Sequence, residues 1–369
     1  MVDRTDRDAP VVKGTRDACA ATCADRAPRV VGVVGLGLIG GSLALRLVSR
    51  GVDVVAWNHT PRPYAAAEAA GIRCVPSLAD LAAAGPDVIV LCNPLKAMPD
   101  VLAALAPVIA PATTLTDVGS VKGMVRDQVK AAGLGARYVG AHPMAGNELS
   151  GWGAADPALY DDALWAVTVD GDTDYARFLV VARLVTEGVG DRIIVLDDAT
   201  HDRAAALISH MPHVVSTALA NTLADDPDRN VAAALSAGCW RDMTRVALTD
   251  PDRTRAMVEE DAVNVEALLR DVAARLTAVA DLLRDEISAA QTNGGAATPQ
   301  ALLDFFADAD PFRRYKAAQR AGVTSYERRT VEVSGHGWRG ELLESARRGE
   351  HVMHVDGPRT FAVEVRSAV

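Results

Sequence analysis

The stretch Val30-Val31-Gly32-Val33-Val34-Gly35-Leu36-Gly37-Leu38-Ile39-Gly40-Gly41-Ser42 decides how the rest of the chain is read. Its valine-rich start has the texture of a buried parallel strand, and the residues from Ser42 to Arg50 have the length and make-up of a helix. The three spaced glycines between them have separate duties. Gly35 permits a tight turn, Gly37 lets backbone approach a pyrophosphate, and Gly40 allows helix and strand to pack closely. The helix start at Leu38 and Ile39 offers unpaired N–H groups and a partial positive charge to phosphates. Such spacing alone is a weak signal; placed between a strand and a helix it specifies a dinucleotide site.

A second strand, read at 52–57, should end on an acid for a ribose hydroxyl about 20 residues further on. Here it ends Ala56-Trp57-Asn58-His59-Thr60-Pro61-Arg62, without an acid. Asn58 and Thr60 can hydrogen-bond a 2′-phosphate, and Arg62 can pair with it, with His59 in the same turn. The expected cofactor is therefore NADP in preference to NAD; the bland alternative is that Arg62 is a solvated loop residue. Asn93 and Pro94, which follow a strand read at 87–92, are assigned to the same cofactor-binding edge.

Outward from this turn, strands are expected near 113–117, 137–140, 164–169 and 192–196, with helix-like segments at 41–50, 64–70 and 97–106. Residues 199–290 read as helices almost throughout, and Val258, Ala262, Val265, Leu268 and Leu269 recur at helical spacing. The fold class is an α/β Rossmann-type dinucleotide-binding domain (29–197), then an all-α dimerisation domain (198–290), then a linker and small C-terminal α+β module (291–369). That module should carry helices near 299–320 and 340–348 and strands near 330–333, 351–355 and 360–366. Residues 1–28 read as a disordered tail or an over-long start.

The chain has 369 residues, 49% of them hydrophobic but only 4% aromatic, so its core must be built mainly from Ala, Val and Leu. A formal net charge of -10 argues against a nucleic-acid partner. No apolar run reaches the roughly 20 residues of a membrane span, and no signal-peptide core is present. Five scattered cysteines (Cys19, Cys23, Cys74, Cys92, Cys239) without metal-ligand spacing suit a reducing cytoplasm. A small-molecule substrate, a homodimer and no metal are expected.

Three further stretches bear on chemistry: Thr116-Asp117-Val118-Gly119-Ser120-Val121-Lys122, Gly140-Ala141-His142-Pro143-Met144-Ala145-Gly146, and His201-Asp202-Arg203 running on to Ser209-His210-Met211-Pro212-His213. A histidine near neutral pKa can take a hydroxyl proton as hydride departs. A serine hydroxyl can orient it, or else cap the helix that begins at Val121. With the glycine turn ahead of them, in this order, they make residues 29–290 resemble the prephenate/arogenate dehydrogenase family of tyrosine biosynthesis. The resemblance implies oxidative decarboxylation. A cyclohexadienyl alcohol gives hydride to NAD(P), and a ring carboxylate leaves as carbon dioxide. It assigns His142 as the catalytic base and Ser120 as its helper. It also assigns Arg245, in Trp240-Arg241-Asp242-Met243-Thr244-Arg245, to a substrate carboxylate, with Arg241 as runner-up.

His210 and His213 resemble the family's pocket histidines, with helix packing equally open for both; His201 reads as structural. Glu148 gates the pocket or is simply a solvated glutamate. Thr254 stands where the family often has an aromatic, and nearby Asp252, Glu259, Glu260 and Asp261 can favour an ammonium-bearing substrate, as in arogenate. They suit helix N-termini as well. An amino-substituted prephenate of specialised metabolism is a further alternative. A β-hydroxyacid dehydrogenase would need a lysine in the helical domain, and 199–290 contain none. A non-catalytic redox sensor would not need Ser120, His142 and Arg245 together.

Overall fold

The computed structural model describes residues 24–293, 300–322 and 326–366. β1 (Val30–Val34) lies at the centre of a parallel five-stranded sheet. The other strands are β2 (Asp53–Trp57), β3 (Arg73–Cys74), β4 (Val88–Leu91) and β5 (Thr114–Asp117), in the order β3-β2-β1-β4-β5. The chain winds to one side of β1 and then to the other, which opens a crevice at the carboxyl ends of β1 and β4. The short β3 has no counterpart in the sequence reading, since two residues carry no periodicity.

A second sheet holds β6 (Gly140–Pro143), β7 (Leu164–Thr168), β8 (Arg192–Leu196), β9 (Arg328–Glu332), β10 (Glu350–Gly357) and β11 (Thr360–Val365), in the order β6-β7-β8-β10-β11-β9. A parallel bridge between Leu115 and Tyr138 ties β5 to the approach to β6. The strand expected at 137–140 in fact begins at Gly140, because Gly135–Arg137 is a helical turn. His142 therefore sits within the strand, opposite Ala166, rather than after it.

The small C-terminal module is present, and it docks by strand pairing: β10 runs antiparallel to β8 at Val352 and Ile193. The helix expected at 299–320 is two helices, Gln300–Ala307 and Asp310–Arg320, with Pro311 in the first turn of the second. Four aromatic residues, Tyr175, Phe178, Trp338 and Phe361, meet where this module joins the rest. The ring of Phe178 lies 5.0 Å from that of Trp338 and 6.2 Å from that of Phe361. Of the expected tail, residues 1–23 lie outside the described residues, and the expectation fails for 24–28. Residues 24–28 are docked: Arg26 pairs with Asp87, and Arg183 Nε donates to the Ala24 carbonyl at 3.0 Å. Cys19 and Cys23, like 294–299 of the linker, lie outside the described residues.

The helical layer contrasts with the sheets. Between Pro212 and Gln291 only Ser216, Asp261 and Val265 are buried, whereas Val231, Leu235, Met243, Leu248, Leu276 and Ile287 are exposed. Its longest member is Ala262–Asn293. Among the described residues, no helix is long and apolar enough to cross a membrane.

Phe361 is fully buried against Phe178, in the seam between the C-terminal module and the dinucleotide-binding domain. Phe361→Ala should cost about 3–5 kcal/mol, read as a lowered midpoint of thermal or denaturant unfolding. An unchanged midpoint would mean that the C-terminal strands do not stabilise the sheet.

Candidate active site

The glycine turn has the geometry that its three duties require. Gly35 has φ +102°, and a side chain there would meet the Cys92 carbonyl at 2.9 Å. A Cβ on Gly40 would strike the Gly35 carbonyl at 2.0 Å and the Cys92 side chain at 2.7 Å, so helix Leu38–Ser49 approaches β1 and β4 closely only because neither position carries one. A Cβ on Gly37, by contrast, would meet no atom within 4 Å. Open space above a helix N-terminus is where a pyrophosphate fits. Just past β4, the buried Asn93 Oδ1 is an orphaned acceptor, without a hydrogen-bond partner among the described residues. Pro94 beside it is exposed. These features fit a dinucleotide.

Asn58 is corrected in role. Its Oδ1 accepts from Leu36 N at 2.9 Å and its Nδ2 donates to the Thr60 carbonyl at 2.9 Å, so the amide braces the glycine turn and is not free for a phosphate. His59 and Arg62 are exposed and Thr60 is half-buried.

At the end of β5, Asp117 and Lys122 form an ion pair with both side chains wholly buried. The Asp117 carboxylate also accepts from Gly119 N (2.8 Å), the Tyr138 hydroxyl (2.8 Å) and Ala141 N (3.3 Å). Lys122 Nζ donates to the Ala141 carbonyl at 2.8 Å. The Gly119-Ser120 turn and the strand bearing His142 are thereby fixed to one another. Ser120 does not cap helix Lys122–Ala131, whose cap position is Val121. Asp202, reaching across from the start of the helical layer, does so instead, accepting from Lys122 N at 2.7 Å and Gly123 N at 2.9 Å. The half-buried Ser120 hydroxyl is left available.

His142 Nδ1 lies 3.0 Å from His201 Nε2, and His201 Nδ1 lies 2.8 Å from Asp202 Oδ1. The carboxylate only accepts, so His201 donates from Nδ1 and accepts at Nε2 from His142 Nδ1–H. His142 Nε2 is then an unprotonated acceptor. Burial, with His201, Lys122 and His210 nearby, pushes the His142 pKa well below the ordinary histidine value and keeps the ring neutral. His201 was read from sequence as structural. It contacts the candidate base directly, and its adjacency to Asp202 in the chain was the available signal.

His210 is buried with Nδ1 3.0 Å from Asp261 Oδ2, and burial lowers its pKa. It ends a π-helical turn, Ala206–His210, of the wide kind that recurs at functional sites. His213 is half-buried, its Nδ1 donating to the Ser209 carbonyl at 2.8 Å, which leaves Nε2 as an acceptor. Arg245 is exposed in the turn Arg245–Leu248, which packs on helix Met211–Asp225, and no carboxylate of this chain pairs with it among the described residues. Glu148 is exposed. Of the four acids expected to favour an ammonium, three are already engaged: Asp261 with His210, and Asp252 and Glu259 with Arg255.

Arg253 carried no signal in the sequence. From helix Pro251–Glu260 its guanidinium donates to the carbonyls of Asn147 and Leu149, both at 3.0 Å. These belong to the segment that leaves His142 and returns to the glycine helix, where Trp152 packs at Gly41 and Asp156 N donates to Ser42 Oγ at 2.9 Å. The segment is held at one end by the glycine helix and in its middle by Arg253.

Fold and site together define a nicotinamide-dinucleotide-dependent dehydrogenase. Residues 42–195 match the family model described as "Prephenate dehydrogenase, nucleotide-binding domain", and 197–291 match "Prephenate dehydrogenase, dimerization domain". The chain is 30% identical over 237 residues to the cyclohexadienyl dehydrogenase of Zymomonas mobilis, covering 63% of this chain and 80% of that protein. It is 28% identical over 226 residues to the prephenate dehydrogenase of Lactococcus lactis, covering 59% of this chain and only 61% of that protein. Prephenate dehydrogenase from A. aeolicus, solved with hydroxyphenyl propionate and NAD+, superposes with a TM-score of 0.68 at 26% identity, covering 80% of this chain and 98% of that one. The chain belongs to the prephenate dehydrogenase family, whose members are NAD-dependent oxidoreductases.

Arg253→Gln should release the 147–149 segment. Amide hydrogen exchange and limited proteolysis at 147–151 should quicken several-fold, with global unfolding unchanged. Unaltered protection would show that the two hydrogen bonds do not hold the segment.

Proposed function

We propose that this protein oxidatively decarboxylates prephenate to 4-hydroxyphenylpyruvate. The observation that carries the reading is the chain from Asp202 through His201 to the half-buried His142, which leaves its Nε2 unprotonated and unpartnered among the described residues. When bound, the dinucleotide supplies the hydride acceptor. His142 Nε2 takes the proton from the ring hydroxyl, oriented by Ser120, as the hydroxyl-bearing carbon loses its hydride and the C–O bond becomes a carbonyl. The bond to the ring carboxylate then breaks. Its electron pair enters the ring, carbon dioxide leaves, and the resulting phenolate recovers the proton from His142. His201 and Asp202 are positioning residues that fix the tautomer of the base.

Arg245 grips a substrate carboxylate; pairing with the departing one would stabilise the ground state and slow its loss. His213, His210 and Glu148 line the substrate side. Prephenate is preferred over arogenate because Asp252, Glu259 and Asp261 are committed within the chain and leave little to hold an ammonium. NADP is preferred over NAD because β2 ends without an acid and the unpaired Arg62 stands beside Thr60. The protein acts as a homodimer, which the exposed apolar residues of the helical layer support.

Reduction of dinucleotide followed at 340 nm, with prephenate or arogenate and with NAD or NADP, tests these choices together. The highest kcat/KM is expected with prephenate and NADP. Absence of turnover in all four combinations would refute the function, and preference for arogenate or NAD would refute the corresponding choice alone.

His142→Asn should lower kcat by about 10²–10⁴-fold, the usual worth of a general base, with dinucleotide affinity little changed. The sign of the pH dependence follows from the lowered pKa. The neutral base persists below the ordinary histidine value of about 6.5, so kcat/KM should fall only at more acid pH. An acid limb centred above 6.5 would contradict this.

A further inference from the structure

We infer that the helical pair Gln300–Ala307 and Asp310–Arg320 packs against a second copy of this chain, as an arm that carries the dimer contact past the matched dimerization domain. The inference rests on the homodimer reading above.

Three observations carry it. First, no residue of either helix is buried, and they have 8 and 11 residues. Isolated helices of fewer than about 12–15 residues are marginal in water, so an ordered pair with no buried face lacks its main source of stability in a single chain. Second, their polar and apolar residues are treated differently. Asp310 pairs with Arg313 and Arg314 inside the second helix, so polar groups there are satisfied locally. Leu303, Phe306 and Phe312 meanwhile stand 51%, 56% and 59% exposed. Phe305 meets Phe306 edge to face at 5.3 Å, which keeps two aromatic rings together at the surface. Rings left in water forgo the stabilisation that burial against apolar surface would give them.

Third, the exposed surface continues an interface. Leu276, Leu283 and Ile287 recur at seven- and four-residue spacing along helix Ala262–Asn293, the seam pattern by which helices of two chains associate, and all three are exposed. The helix Gln300–Ala307 touches that same long helix while burying none of its own residues. Exposed apolar residues therefore run along the chain from the matched dimerization domain, with Leu276, Leu283 and Ile287, into the arm, with Leu303, Phe306 and Phe312. A second copy presents the same residues, and a two-fold dimer buries one self-complementary surface on both subunits.

The test uses the full chain with Phe306→Ser and Phe312→Ser together. Sedimentation across a dilution series should show the dimer dissociation constant raised at least tenfold over wild type. Amide hydrogen exchange of 300–320 in the unmodified chain provides a readout free of any substitution. Protection should be strong when the dimer is populated and lost in step with dissociation on dilution. A dimeric wild type, an unaffected variant and unprotected 300–320 would overturn this inference and leave the homodimer standing. A wild-type chain that sediments as a monomer at all concentrations would overturn both.

Discussion

The buried pair of Asp117 and Lys122 is the interaction on which the site depends. Neither side chain touches solvent, and removing one partner would strand the other charge at a cost of about 3–5 kcal/mol. An ion pair in such a place need not add stability over an apolar pair, so its value lies in what it organises. Gly119, Tyr138 and both polar backbone atoms of Ala141 converge on it, from the end of β5, from the connection beyond helix Lys122–Ala131 and from β6. The position of Ser120 relative to His142 is thus a by-product of satisfying one charge pair. Lys122 then extends the chain of constraint, because its own N–H is held by Asp202, the carboxylate that orients His201.

Much of this was legible in the sequence where chemistry and backbone geometry coincide. The glycine turn could be read because each of Gly35 and Gly40 has a steric reason that no other residue meets. His142, Ser120 and Arg245 stand out as candidates through the motifs around them. The relay could not, because His201 and Asp202 lie far along the chain from His142 and are brought to it only by folding. Asn58 shows the opposite failure. A polar residue at the end of β2 looks free in a sequence, yet the N–H of Leu36 claims it. Arg253 was silent because a guanidinium that serves two main-chain carbonyls needs no partner residue of a particular type.

The helical layer and the dinucleotide-binding domain meet at two kinds of contact. Near the chemistry they are polar: Asp202 on the helix start at Lys122, Asp198 with Arg126 at 2.7 Å, and Arg253 on the 147–149 segment. Away from it, the layer presents leucine, valine and methionine outward, with almost nothing buried in the single chain. The layer is thus polar towards its own sheet domain near Asp198, Asp202 and Arg253 and apolar elsewhere.

The pairing of β10 with β8 has a consequence for how the molecule is made. Ile193 waits for Val352, and the whole helical layer is synthesised in between. Until the last strands emerge from the ribosome, β8 is a bare edge with unpaired N–H and C=O groups, the kind of template that recruits strands from neighbouring chains. Strands made before and after the helical layer thus complete one sheet, and the free side of β8 stays open until Glu350–Gly357 has been synthesised.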